Sequence, residues 1–261
     1  MLKEIYRQIQ NRFKKTGNNT NNNKFAFILC PPFCGSTLLN QFISTSKNVS
    51  SNNNKGTREG QNLESTRKMM FDHHDRWNVN RKFDWNFIKK EWLKYWDTES
   101  PILLEKSPPN IIRAFEIQDT FSPSFFICMT RNPYARISRD KGKRDLKKVT
   151  ESVVIQLKYQ KKNIEGLNNV IFFTYEEFTN NPKKIKEKLE RFLPELNDLD
   201  ISFTSTAHNY LRKKMKITNL NKGKISKLNQ NDLDKINSVL KKEKEILSYF
   251  GYKLITKPLM G

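Results

Sequence analysis

The stretch FAFILCPPFCGSTLLNQFI, Phe25 to Ile43, decides how the rest of the chain is read. An apolar, β-prone run enters two prolines, then Gly-Ser-Thr, then a segment whose apolar residues return at helical spacing. That is the pattern of strand, tight loop and helix. The helix start after such a loop suits an anion, because its first N–H groups lack intrahelical partners and the helix dipole adds roughly half a positive charge. The loop contains no lysine or arginine. Its own donors are therefore backbone N–H groups and the hydroxyls of Ser36 and Thr37.

Working outward, three more apolar runs read as buried parallel strands: PILLEK (101 to 106), SFFICMT (124 to 130) and NVIFFTY (169 to 175). Each is short, rich in β-branched or aromatic residues, and followed by a helical pattern. Helices are expected at about 36–46, 60–72, 84–96, 109–119, 150–166, 182–193 and 230–249. The alternation predicts an α/β fold, a three-layer domain around a central, mostly parallel sheet. Ligands in such sheets bind beyond the carboxyl ends of the strands, so the loops beginning at Pro31, Lys106, Arg131 and Tyr175 are the ones to watch.

The chain has 261 residues, of which 36% are hydrophobic, enough for a core in one large domain. Its net charge of +21 favours a polyanionic partner: a nucleic acid, an anionic membrane surface, an acidic glycan or a phosphorylated nucleotide. Cys30, Cys34 and Cys128 lie in or beside apolar strands, which argues against a disulfide framework and for a reducing compartment. MLKEIYRQIQNRFKK contains no apolar run long enough for a signal peptide or a membrane span, so a soluble, cytoplasmic protein is expected. Leu2, Ile5, Tyr6, Ile9 and Phe13 share one helical face with basic residues opposite. Such a helix docks on the domain or, as the alternative, makes peripheral membrane contact. Residues 1–23 are thus read as a basic N-terminal helix with a polar linker, TGNNTNNN, and residues 24–261 as a single domain.

Several chemistries fail at the first loop. A Walker ATP or GTP site needs Gly-Lys-Ser/Thr, but Gly35 is followed directly by Ser36. A cysteine phosphatase needs an arginine six residues after the cysteine, where Cys34 has Asn40 and Cys30 has Ser36. Zinc needs several spaced ligands, whereas Cys30 and Cys34 stand far in sequence from His73 and His74.

The family that PFCGSTLL (Pro32 to Leu39) does resemble is that of the sulfotransferases, whose 5′-phosphosulfate loop usually reads Pro-Arg/Lys-Ser-Gly-Thr-Thr before an apolar helix. TRNPYARISR (Thr130 to Arg139) resembles the family's 3′-phosphate site. LLEKSPPN (103 to 110) resembles the Glu-Lys-Ser/Thr-Pro segment of the carbohydrate branch, and FFTYEEFTNNPKKIKEKLERFL (172 to 193) its Tyr-Glu-Asp-Leu, Asn-Pro and helix segment. NKGKISKL (221 to 228) is similar to the late phosphate loop and ILSYFGY (246 to 252) to the closing helix, so the likeness runs over residues 25 to 252.

The resemblance implies a P-loop-like fold similar to nucleotide kinases and transfer of a sulfuryl group from 3′-phosphoadenosine 5′-phosphosulfate (PAPS), without a metal, to a hydroxyl or amine. It implies donor contacts from Phe33, Cys34, Gly35, Ser36, Thr37, Arg131, Ser138 and Tyr175, and from Lys222 and Gly223 in a basic flap that includes Arg212, Lys213, Lys214, Lys216, Lys224 and Lys227. The acceptor stays open, with carbohydrate favoured by EKSP; nucleic acid is disfavoured as a partner. The chain departs from the family at Phe33, where a cation helps neutralise the leaving oxygen. Two explanations remain: Lys106 substitutes, or the protein binds the nucleotide without useful turnover. Glu59 in GTREGQNL is the first choice of general base and His73 or His74 the second. As a nucleic-acid binder the protein would instead use Trp77, Trp85, Trp92 and Trp96 for stacking, although DWNFIKKEWLKYW reads more simply as a helix face turned to a core or acceptor pocket.

Overall fold

In the first strand, alternate side chains have two interiors to fill. Ala26 and Ile28 point into one buried cluster, and Phe25, Phe27 and Leu29 into another on the opposite face. Alternation with both faces apolar is what a strand covered by helices on each side requires. The computed structural model describes residues 23–72, 76–206 and 215–259.

Strand β1 (Lys24–Leu29) leads into helix α1 (Ser36–Ile43), and β2 (Val49–Ser51) follows. Helices α2 (Glu64–Met70) and α3 (Trp85–Trp92) precede β3 (Ile102–Glu105). Helix α4 (Ala114–Thr120) leads to β4 (Ser124–Thr130), then come α5 (Pro133–Ile137), the long α6 (Leu146–Gly166) and β5 (Val170–Thr174). The chain finishes with α7 (Tyr175–Asn180), α8 (Pro182–Phe192), α9 (Asn221–Ile225), α10 (Gln230–Leu240) and α11 (Lys244–Tyr249). The five strands form one parallel sheet in the order β2-β3-β1-β4-β5. Helices α1, α7 and α8 cover one face through Leu39, Phe42, Phe178 and Leu189. Opposite them, Trp85, Trp92 and Trp96 close around Phe121, with ring centroids 6.4, 5.8 and 6.5 Å from it. These three tryptophans are core residues and form no stacking surface. A third cluster joins α5, α6, α10 and α11.

The α/β class and the central parallel sheet are as expected from the sequence, and the differences are local. Helix α6 starts at Leu146, not near 150, because the Asp145 side chain accepts from the backbone N–H groups of Lys147 and Lys148. The helix expected over 230–249 is two, α10 and α11. Tyr175 opens a helix and not a loop, since Thr174 and Glu177 form a reciprocal capping box. The edge strand β2 carries one apolar residue in three and gave no strand signal.

The expected N-terminal helix, with its alternative membrane contact, and the linker through residue 22 lie outside the described residues, as do His73, His74 and the flap residues Arg212, Lys213 and Lys214. Among the described residues, no helix is long and apolar enough to cross a membrane, and no group of His, Cys, Asp or Glu could hold a metal ion.

Candidate active site

Strand order sets the location. β1 pairs with β3 on one side and β4 on the other; the chain runs from β1 out to the edge strand β2, returns through β3 and crosses to β4, which leaves a crevice above the carboxyl end of β1. A cavity of about 500 Å³ opens there, lined by Gly35, Ser36, Thr37, Glu59, Lys106, Arg131 and Tyr175, with Phe33, Arg139 and Lys224 at the same end as Arg131. Three watched strand ends, at Pro31, Lys106 and Arg131, meet in it, and Tyr175 supplies the fourth.

The loop after β1 is held by its backbone. Gly35 has φ +99°, and a Cβ there would lie 2.6 Å from the Tyr175 ring. Only glycine fits both the angle and the space. Phe33 has φ +64°, costly for a bulky residue, and is 45% exposed. Cys30 and Cys34 are buried and free, their thiols donating to the carbonyls of Pro31 at 3.5 Å and Pro32 at 3.6 Å. The neighbouring Cys30 side chain draws the Cys34 thiol below its ordinary range against the pull of burial, with Arg136 and Arg131 assisting. Burial raises Cys30 well above its own.

Lys106 and Glu59 form the centre of the site. Lys106, only 1% exposed, donates from Nζ to Glu59 Oε1 at 3.0 Å and to Thr37 Oγ1 at 3.4 Å. Neighbouring Glu105 points into the protein and builds the wall behind Glu59. Its Oε1 accepts from the Gly60 backbone N–H at 3.0 Å and from Ser107 Oγ at 2.6 Å, while Oε2 accepts from Asn110 Nδ2. Ser107 Oγ in turn accepts from the Gln61 N–H at 3.0 Å. Two successive amides after Glu59 are thus fastened to β3. Gly60 fits closely there too: a Cβ would come within 2.5 Å of Asn52 Nδ2, 2.8 Å of Glu105 Oε1 and 3.0 Å of the Trp92 ring, so a side chain would have to displace this wall. Burial pushes the Glu105 carboxyl from its ordinary 4.5 up to about 7, the Ser107 and Gly60 hydrogen bonds and the charge of Lys106 pulling the other way.

Arg131, 9% exposed, leaves the end of β4 and lies over the Tyr175 ring, 4.1 Å from its centroid. Its Nε donates to Asn221 Oδ1 at 2.7 Å and Nη1 to the Phe33 carbonyl at 3.2 Å. Among the described residues Nη2 is buried with no partner, a donor ready for an anion. Asn221 is held by Glu176, which also accepts from the Asn132 N–H at 2.9 Å. Tyr175 donates to the Thr218 carbonyl at 3.1 Å, tying α7 to the basic segment.

The sequence-based candidates divide. Phe33, Gly35, Ser36, Thr37, Glu59, Lys106, Arg131 and Tyr175 converge on the cavity. Cys34 is buried beneath the loop, and the Ser138 hydroxyl is turned inward, donating to the Ala135 carbonyl at 3.0 Å. Lys222 and Gly223 are exposed on α9 and stand off the cavity wall, which takes Lys224 from the same helix instead. Sequence reasoning missed Arg139, Glu105 as the anchor of Gly60, and the Asn221–Glu176 support of Arg131. A basic residue beside Ser138 was the one signal present for the first; the others are long-range pairings without a local signature. The far end of the cavity is walled by Phe71, Arg76, Trp77, Pro108 and Pro109. Buried Arg113 fixes that wall by donating to the carbonyls of Arg76 and Asn78, each at 2.9 Å.

No family model and no curated protein matches the chain. Among solved structures, a sulfotransferase from Mycobacterium avium is 10% identical with a TM-score of 0.58, over 93% of this chain and 81% of that one. The sulfotransferase domain from the curacin biosynthetic pathway is 16% identical with a TM-score of 0.49, over 89% of this chain and 99% of that one. A likeness at the level of the Mycobacterium avium structure concerns architecture: the chain has the sulfotransferase fold.

Proposed function

We propose that this protein is a sulfotransferase that uses PAPS and passes its sulfuryl group to a hydroxyl or amine acceptor. The observation that carries the reading is Lys106, buried between Thr37 of the β1–α1 loop and Glu59, so that a cation and a carboxylate meet at the anion-binding loop. The residues present fit the donor at both ends. The Gly35 cradle admits close approach of a 5′-phosphate to backbone N–H groups and to Ser36 and Thr37. Arg131, with Nη2 unpartnered, offers a charge-assisted contact to a 3′-phosphate.

PAPS supplies an activated sulfuryl group on a phosphate leaving group. Thr37 and the first-turn amides of α1 orient the 5′-phosphate. Lys106 would offset the negative charge that grows on the leaving phosphate as its bond to sulfur breaks, the contribution Phe33 cannot make. Glu59 would take the proton of the acceptor as the acceptor's oxygen or nitrogen bonds to that sulfur. The wall of Phe71, Trp77, Pro108 and Pro109 receives the acceptor, and the Glu105–Lys106–Ser107–Pro108 segment favours a carbohydrate.

Calorimetric titration tests the donor assignment. Adenosine 3′,5′-bisphosphate (PAP) is expected to bind about tenfold to a hundredfold tighter than adenosine 5′-phosphate, the value of one charge-assisted hydrogen-bonded phosphate contact. Arg131→Ala removes most of that difference with the fold intact. Equal affinities for the two nucleotides in the wild type refute the reading; tight PAP binding with no labelled sulfate transferred to any acceptor leaves a nucleotide-binding protein without chemistry.

A further inference from the structure

Phe33 occupies the position where the loop lacks its cation, and its surroundings account for the ring. The guanidinium of Arg139 lies over it, its Cζ 3.4 Å from the centroid, and that of Arg136 lies at 5.0 Å. The two arginines differ in what else they touch. Arg136 Nη1 pairs with Asp140 Oδ2 at 2.6 Å, and Arg144 takes Oδ1 at 2.6 Å, so both oxygens of Asp140 are occupied. Arg139 turns to the cavity, whose wall it shares with Arg131 and Lys224. At its backbone, Phe33 accepts from Arg131 Nη1 through its carbonyl, an orientation that comes with its left-handed φ of 64°. One residue therefore holds two guanidiniums, Arg131 by its carbonyl and Arg139 by its ring. Lys224 completes the group: burial, then the charges of Lys227, Arg131 and Arg139, hold its ammonium below the ordinary lysine range. Among the described residues, three cations meet at one end of the cavity, and the carboxylate in its lining, Glu59, is bound to Lys106.

We propose that Phe33 is a platform that fixes Arg139, and that Arg139 joins Arg131 and Lys224 in holding the 3′-phosphate of the donor nucleotide. The inference rests on the donor reading above and adds a specificity-determining residue to it. Replacing a loop cation by an aromatic ring then moves positive charge to the 3′ end of the nucleotide, while Lys106 serves the 5′ end. A guanidinium stacked on an aromatic face is held in place yet keeps its edge N–H groups free for a phosphate, which an ammonium cannot do as well.

The test is calorimetric titration of PAP and of adenosine 5′-phosphate into the wild type, Arg139→Ala, Phe33→Leu and the double variant, with thermal melts to establish that each is folded. Arg139→Ala is expected to weaken PAP about tenfold and to leave adenosine 5′-phosphate unchanged, because the latter has no 3′-phosphate. Phe33→Leu should weaken PAP about threefold, the value of an exposed cation–π contact. In the double variant, PAP should bind no worse than to Arg139→Ala, since the ring acts through the arginine. Wild-type affinity in folded Arg139→Ala, an equal loss for both nucleotides, or additive losses in the double variant each overturn the inference. A wild type that binds PAP no better than adenosine 5′-phosphate fails the donor reading itself, which separates the two failures.

Discussion

The two ends of the cavity treat charge in opposite ways. At the Glu59–Lys106 end the charges are paired, and the pair is backed by a closed set of buried hydrogen bonds running from Glu105 to Gly60, Ser107 and Asn110. At the Arg131–Arg139–Lys224 end, among the described residues, cations outnumber carboxylates in the cavity lining and Arg131 Nη2 is buried without a partner. A buried polar group left unmatched costs free energy, and like charges held together cost more. A fold keeps such an arrangement where a ligand supplies the missing anion. The Glu59–Lys106 end is suited to a step in which charge is redistributed; the cation-rich end is suited to binding an anion.

That contrast can be broken most directly at the paired end. Lys106→Ala is expected to lower sulfate transfer about a hundredfold or more while changing PAP affinity only a few-fold, since a contact strengthened in the transition state acts on turnover more than on ground-state binding. Turnover at the wild-type rate, measured with labelled donor once an acceptor is found, would remove Lys106 from the chemistry.

Glu105 sharpens the comparison from beneath. Its carboxyl is raised on folding from the ordinary 4.5 to about 7, so the folded state holds the proton more tightly than the unfolded chain. The resulting stabilisation is full below about pH 4.5 and is lost as pH rises through about 7. Urea unfolding of the wild type and Glu105→Gln across pH 4 to 8 should therefore diverge by up to roughly 3 kcal/mol. The variant lacks this decline, and Asn110, whose Oδ1 has no partner, can turn its amide to meet the glutamine. Parallel stability curves would mean that folding does not raise the Glu105 carboxyl.

The smallest effect is expected at Gly60. Alanine there meets Asn52 Nδ2 and Glu105 Oε1, both side-chain atoms that can shift, so a loss of about 1–3 kcal/mol in stability is expected. A larger fall in turnover than in stability would mark the displacement of neighbouring Glu59. An unchanged melting temperature would show that the wall behind Glu59 yields more readily than its hydrogen bonds imply.

Much of this was legible along the chain, and the reasons are local. Phe25 to Leu29 fill two cores by alternation, and Gly35 before Ser36 marks a turn that only glycine can make; both are properties of a few consecutive residues. The prolines at 108 and 109 signalled the break after β3, although the turn they begin is a 3-10 helix. Capping by Asp145 and the reciprocal box at Thr174 and Glu177 were also written locally but were outweighed in the reading by apolar periodicity. What stayed hidden were pairings between distant segments. Glu105 reaches Gly60 across 45 residues, Arg131 reaches Asn221 across 90, and Arg139 finds Phe33 only because β4 lies beside β1.

By itself, then, the sequence determined the α/β alternation, the parallel sheet and the anion-binding turn after the first strand, because propensity, periodicity and glycine's backbone freedom act over a few residues. The tertiary structure decided which charges are paired and which are left open. Strand order brings Lys106 to Thr37 and Glu59 and lays Arg139 on Phe33, and the electrostatics of a site depend on distances in space that no spacing along a chain contains.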